Sequence, residues 1–168
     1  MTPALPRRII LLGAAGAGKT TLARELALAL GIPHLCLDEM WRSIQPAGDE
    51  AAFRRLIDET HAGLEWVSDG NFAKVTFALR APRAELFVWL EPPRPLCLWR
   101  ALRRTLRRAE FHCLRDFGKV ARFIAGFERR NRPLIEGLRQ QLAPDTPVIH
   151  LRRPSVERLL AAWTQRAR

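Results

Sequence analysis

The sequence predicts an α/β fold of three layers, a five-stranded parallel sheet with helices on both faces. Three observations predict it. Aliphatic runs of strand length recur along the chain, most clearly Ile9-Ile10-Leu11-Leu12 and Leu86-Phe87-Val88-Trp89-Leu90. Between such runs lie longer segments with apolar residues at helical spacing, such as Leu22, Leu26 and Leu30. Strands and helices alternate throughout, which calls for crossover connections and parallel pairing. The 168 residues, 48% of them apolar, suit one domain with a full core.

Taken in order, the first strand (9–12) leads through a glycine-rich turn into a helix over 20–30. Ile32-Pro33 breaks that pattern, and residues 34–37 read as a short second strand ending at Asp38-Glu39. Residues 43–50 form a loop before a helix over 51–64. A third strand over 65–68 ends at Asp69-Gly70-Asn71, and a short helix over 73–79 is stopped by Ala81-Pro82-Arg83. The fourth strand, 86–90, is closed by Pro92-Pro93. A basic helix over 94–108 and a less regular piece over 109–118 follow. Helices over 120–130 and 133–142, a last strand over 148–151, and a helix capped by Ser155 and running to Gln165 complete the chain.

The turn after the first strand reads Gly13-Ala14-Ala15-Gly16-Ala17-Gly18-Lys19-Thr20, matching G-x-x-x-x-G-K-[ST] at every position. Its glycines let the backbone approach a phosphate where a Cβ would obstruct it. Lys19 supplies a mobile charge for the β- and γ-phosphates, Thr20 a hydroxyl for Mg²⁺, and Thr21 continues the helix N-terminus whose amides face an anion. These residues are a nucleotide-binding loop, with ATP as the expected donor.

Ligands of such sheets bind beyond the carboxyl ends of the strands. The polar candidates there are Asp38 and Asp69. Asp69 is placed to hold Mg²⁺ through water or to accept a hydroxyl proton; a turn-forming Asp-Gly pair is the other reading. Asp38 reads as an acceptor contact or a helix N-cap. Glu91 terminates its strand. Trp41, just beyond Asp38, is a candidate wall of an acceptor pocket. The four histidines and three cysteines are scattered and read as neither catalytic nor metal-binding.

The net charge of +11 is unevenly placed, since residues 94–132 hold twelve basic and only three acidic side chains. An arginine-dense segment suits phosphate recognition. No apolar stretch reaches the ~20 residues of a membrane span, and the thiols are expected to be reduced in a cytoplasmic protein. A cleavable leader is not expected at the start of the chain.

The elements GAAGAGKTTLARELALALGIP, LDEMW, DGNF, VWLEPPRPLCLWRALRR and RFIAGFERRNRP together resemble adenylate-kinase-like P-loop kinases. They most nearly resemble the bacterial DNA topology modulation (FlaR-like) proteins, with shikimate kinases more distant. The resemblance covers nearly the whole chain. It implies a single P-loop NTPase domain over 1–168, with a core at 7–93 and 133–168 and a small arginine-rich lid within 94–132. It also implies that Asp69 organises Mg²⁺ and that Arg100 and Arg104 grip the donor phosphates. The resemblance further implies arginines returning from beyond the lid, for which Arg122, Arg129 and Arg130 are the candidates. Arg42 stands at the distance of an acceptor-phosphate arginine, and Gly70 and Asn71 face the acceptor.

Nucleotide kinases continue the Asp-Gly-Phe motif with Pro-Arg, whereas this chain reads Asp69-Gly70-Asn71-Phe72-Ala73-Lys74. The acceptor is therefore read equally as a nucleotide or as a weakly charged hydroxyl compound. The expected activity is transfer of the γ-phosphoryl group of ATP, with Mg²⁺, to a small molecule. The alternative is an ATP-binding regulator that touches DNA with its basic quarter, though no helix-turn-helix, zinc finger or stacking platform is visible.

Overall fold

The computed structural model describes residues 5–45, 49–107 and 113–166. Five parallel strands, β1 (Arg8–Gly13), β2 (His34–Cys36), β3 (Trp66–Asp69), β4 (Leu86–Leu90) and β5 (Val148–Leu151), form one sheet in the order β2-β3-β1-β4-β5. The helices are α1 (Lys19–Leu30), α2 (Leu37–Ser43), α3 (Glu50–Thr60), α4 (Ala73–Arg80), α5 (Arg94–Arg107), α6 (Cys113–Gly126), α7 (Arg132–Leu142) and α8 (Val156–Arg166). A single 3-10 turn at Ala81–Arg83 follows α4, and one π-helical turn at Phe127–Asn131 joins α6 to α7. The expected α/β architecture is the observed one.

Period two explains why β4 and residues 9–12 of β1 are apolar at every position. In β1, Ile9 and Leu11 face one layer, where they pack with Leu22 and Leu26 of α1, Ala101 of α5, Ile124 of α6 and Leu159 of α8. Ile10 and Leu12 face the other layer, with Phe77 of α4, Phe127 of the π turn and Ile135 of α7. Each such side chain contributes roughly 1.5–3 kcal/mol on full burial. A third, smaller cluster of Leu37, Phe53 and Ile57 seats α2 and α3 beyond the β2 edge.

Several boundaries differ from the sequence reading, three of them by more than a residue or two of fraying. Residues 37–43, where the sequence reads a strand ending at 37–39 and a loop beginning at 43, form α2; its first turn carries Asp38 and Glu39, whose charges complement the helix dipole. The helix read over 51–64 starts one residue earlier and stops at Thr60, because Asp49 caps it, accepting from the Ala52 amide at 2.7 Å. The piece read as irregular is helical from Cys113 onward. Arg108 and residues 109–112 of those readings lie outside the described residues. Ser155 caps α8 as read, accepting from the Arg158 amide.

Candidate active site

β1 lies at the centre of the sheet, so the turn that follows it opens where the strand order changes direction. The loop is held tightly from behind. Gly16 has φ +76°, and a Cβ there would overlap the Cys97 carbonyl of α5; at Gly13 (φ +145°) a Cβ would sit 2.6 Å from the Leu90 carbonyl. Only glycine accepts both the conformation and the approach. Ala17 is buried in the core, and its amide donates to the Ala14 carbonyl.

The Lys19 ammonium donates to the carbonyls of Gly13 and Ala14, each at 2.9 Å. Burial lowers its pKa from the usual range, opposed by the negative charges of Asp69 and Asp38. Thr20 Oγ1 donates to Asp69 Oδ2 at 2.5 Å. Asp69 is the last residue of β3 and 1% exposed. Burial alone would raise its pKa, but hydrogen bonds from His34 and Thr20 outweigh that and leave the carboxyl below its ordinary value.

A cavity of about 650 Å³ opens in front of the loop. It is lined on the loop side by Ala15, Gly16, Gly18, Lys19, Thr20 and Thr21, and on the α5 side by Arg100 and Arg104. Asp38, Gly70, Asn71, Phe72, Ala73, Lys74 and Val75 also line it, as do Phe123, Asn131, Leu134 and Ile135. Arg100 reaches across to the carbonyls of Gly16 and Ala17 at 3.4 and 3.5 Å. Four cationic side chains thus meet one cavity-facing carboxylate, a balance that suits a polyanion.

Several residues stand apart from this cavity. Arg42 is exposed and turns back to the Asp38 carbonyl of its own helix, at 3.0 Å. Trp41 does not line the cavity; it packs edge-on against Phe53 at 5.1 Å, and Phe72 is the member of that ring cluster that reaches the opening. Arg122 and Arg130 line a neighbouring cavity of about 230 Å³, which shares Phe123 and Asn131 with the first, while Arg129 is exposed and lines neither. Asp38 is no N-cap, since Cys36 holds that position and Asp38 is the second residue of α2.

The Gly70-Asn71-Phe72 corner rests on a buried network that the sequence reading missed. Asn71 Nδ2 donates to the Gly13 carbonyl at 2.9 Å, tying this corner to the phosphate loop. Phe72 has φ +22°, a strained value for a residue with a side chain, costing about 1–3 kcal/mol. Beneath it Arg80, fully buried, donates to the carbonyls of Gly70 (2.6 Å) and Asn71 (2.8 Å) and to Ser68 Oγ. Burial pushes the Arg80 pKa down to about 9. Ser68 Oγ lies 2.9 Å from His61 Nε2, and His61 Nδ1 lies 2.9 Å from the Ile57 carbonyl. A neutral imidazole with its proton on Nδ1 donates to the Ile57 carbonyl and accepts from the Ser68 hydroxyl, which satisfies both ring nitrogens.

Burial holds the His61 pKa down to about 4. Between about pH 4 and 6.5 the unfolded chain therefore takes up a proton that the folded one refuses, so stability rises with pH across this window and falls on acidification. The loss amounts to roughly 3 kcal/mol once pH has dropped to 4. His61→Gln keeps an acceptor for Ser68 and is expected to flatten the pH dependence of Tm between about 4.5 and 6.5. An unchanged slope would count against the buried neutral imidazole.

No protein-family model matches the chain. Short stretches are similar to adenylate kinases: 46% identity over 43 residues with the enzyme of Pseudothermotoga lettingae, and 50% over 74 residues with that of Kosmotoga olearia. These stretches cover 26% and 44% of this chain, and only 20% and 34% of those enzymes. Among solved structures, a shikimate kinase from Acinetobacter baumannii in complex with shikimate superposes with a TM-score of 0.60. The match has 22% identity and covers 96% of this chain and 93% of that one. A shikimate kinase from Bacteroides thetaiotaomicron gives a TM-score of 0.58 at 21% identity, covering 96% and 95% of the two chains. The chain therefore shares the α/β fold of these two solved structures. No helix among the described residues is long and apolar enough to cross a membrane.

Proposed function

We propose that the protein is a phosphotransferase that moves the γ-phosphoryl group of ATP to a small molecule bound beside Asp38, Asn71 and Lys74. The observation that carries this reading is the single cavity walled on one side by the phosphate loop with Arg100 and Arg104, and on the other by this acceptor set. A nucleotide-binding regulator needs the first wall only.

Phosphoryl transfer spreads charge over the moving oxygens, so the protein's task is positioning and electrostatic stabilisation. The loop amides and Lys19 hold the donor phosphates. Arg100 and Arg104, one helical turn apart on α5, add two charges from the far side and close over the transferring group as a lid. Thr20 and Asp69 present two hard oxygen donors side by side, a set that fits Mg²⁺. Bound there with ATP, Mg²⁺ supplies charge neutralisation at the β- and γ-phosphates.

On the acceptor side, Asp38 receives a hydroxyl hydrogen bond and Phe72 gives an apolar wall. Arg42 points back to its own helix, and Lys74 is the cation that lines the cavity beside Asn71 and Phe72. This favours a hydroxyl compound of low charge over a nucleoside monophosphate, which calls for a forked arginine contact. The shikimate bound to the similar Acinetobacter baumannii enzyme is of this chemical kind.

Changing both Arg100 and Arg104 to Ala tests the reading. Turnover of ATP is expected to fall at least a hundredfold, while weak binding of duplex DNA stays as it was. If the basic segment instead served nucleic acid, the slope of log K against log [salt] would flatten by nearly two units on losing two phosphate contacts, with turnover unchanged.

A further inference from the structure

We propose that His34, Cys36 and Asp69 form a binding site for a borderline-soft divalent cation of the zinc class, on the edge of the sheet beside the phosphate loop. His34 and Cys36 stand two apart on β2 and so face the same side of the sheet. Asp69 is the register partner of Cys36 on the neighbouring strand β3. Two adjacent strands thus aim an imidazole, a thiol and a carboxylate at one point, and rigid elements rather than loops hold all three.

The distances fit a small cation. His34 Nε2 and Asp69 Oδ1 are 3.0 Å apart, and the three donor atoms lie within 4.8 Å of one another. Donors around tetrahedral zinc lie roughly 3.5 Å apart, so closure asks for about 1 Å of movement. A nitrogen, sulfur and oxygen set excludes the hard cations Mg²⁺ and Ca²⁺ and selects zinc or cobalt. Binding replaces the thiol proton, which leaves to solvent, and the neutral His34 ring carries its proton on Nδ1 so that Nε2 is free to ligate; thiolate and carboxylate together neutralise the ion. The fourth position falls to water. Because β2 is an edge strand, an ion enters past His34, whose side chain is 15% exposed against 2% for Asp69. Asp69 turns Oδ1 to this site and Oδ2 to Thr20, so occupancy draws on the carboxylate that serves the phosphate loop.

Titration of the whole protein with Co²⁺, without nucleotide, is expected to produce a saturable thiolate-to-cobalt absorption with the visible bands of a tetrahedral site, bleached by Zn²⁺. Cys36→Ser removes the thiolate band and Cys97→Ser leaves it. His34→Gln keeps the band and weakens Co²⁺ binding at least tenfold, which decides the matter should Cys36→Ser fail to fold. A wild-type protein without the band, a band that survives Cys36→Ser, or unchanged affinity in His34→Gln would overturn the site. Since no nucleotide is used, the outcome is independent of phosphoryl transfer.

Discussion

Lys19→Ala is expected to lower ATP turnover by about two to three orders of magnitude, the scale of losing one preorganised donor to a developing charge. The fold should stand. Lys19 Nζ donates to two carbonyls of its own loop, and one of these, that of Gly13, keeps the Asn71 amide as a second donor. The expected loss of stability is about 1 kcal/mol, the net worth of a typical hydrogen bond. Steady-state turnover and a thermal melt on the same preparation check both halves. Wild-type turnover in a folded Lys19→Ala protein would refute the role given to the loop.

Asp69→Asn is expected to cost about a hundredfold or more in turnover, again with little change in Tm. The substitution preserves shape and one acceptor oxygen but removes the charge from a position 1% exposed. The partners tolerate it: the Thr20 hydroxyl turns to accept, and His34 Nε2 pairs with either end of the amide by choice of tautomer. The loss should therefore appear in kcat and in Mg²⁺ dependence rather than in folding. Full activity in Asp69→Asn would return the residue to a purely structural part in β3.

The sequence made some features plain and hid others for identifiable reasons. β4 was legible to the residue, because Leu86–Leu90 is buried on both faces and bounded by Pro92 and Pro93. The phosphate loop was legible because its chemistry is local, eight consecutive residues with one task each. α2 was not, because seven residues after a three-residue strand make barely two helical turns, too few for an apolar period to register; the acidic pair Asp38-Glu39 at its start was the available signal. Residue spacing put Trp41 in the expected acceptor wall, whereas packing turned it toward Phe53, and Phe72 lines the cavity instead.

Long-range groupings were invisible for a different reason. His34, Cys36 and Asp69 meet only because β2 and β3 pair in one register, and nothing in a 35-residue separation announces it. Likewise Arg80 reads as an ordinary helix-end arginine, yet it is fully buried beneath Gly70 and Asn71. Its signal was its place on the apolar stripe of α4, three residues after the buried Phe77.

The most direct measurement follows the label of γ-phosphoryl-labelled ATP, with Mg²⁺ and the purified protein, across a panel of nucleosides, nucleotides, sugars and hydroxy acids. The account predicts that with at least one hydroxyl acceptor the label leaves ATP as an organic phosphate ester, and that this transfer is lost in Lys19→Ala. Label released only as inorganic phosphate, at a rate indifferent to every acceptor, would contradict it.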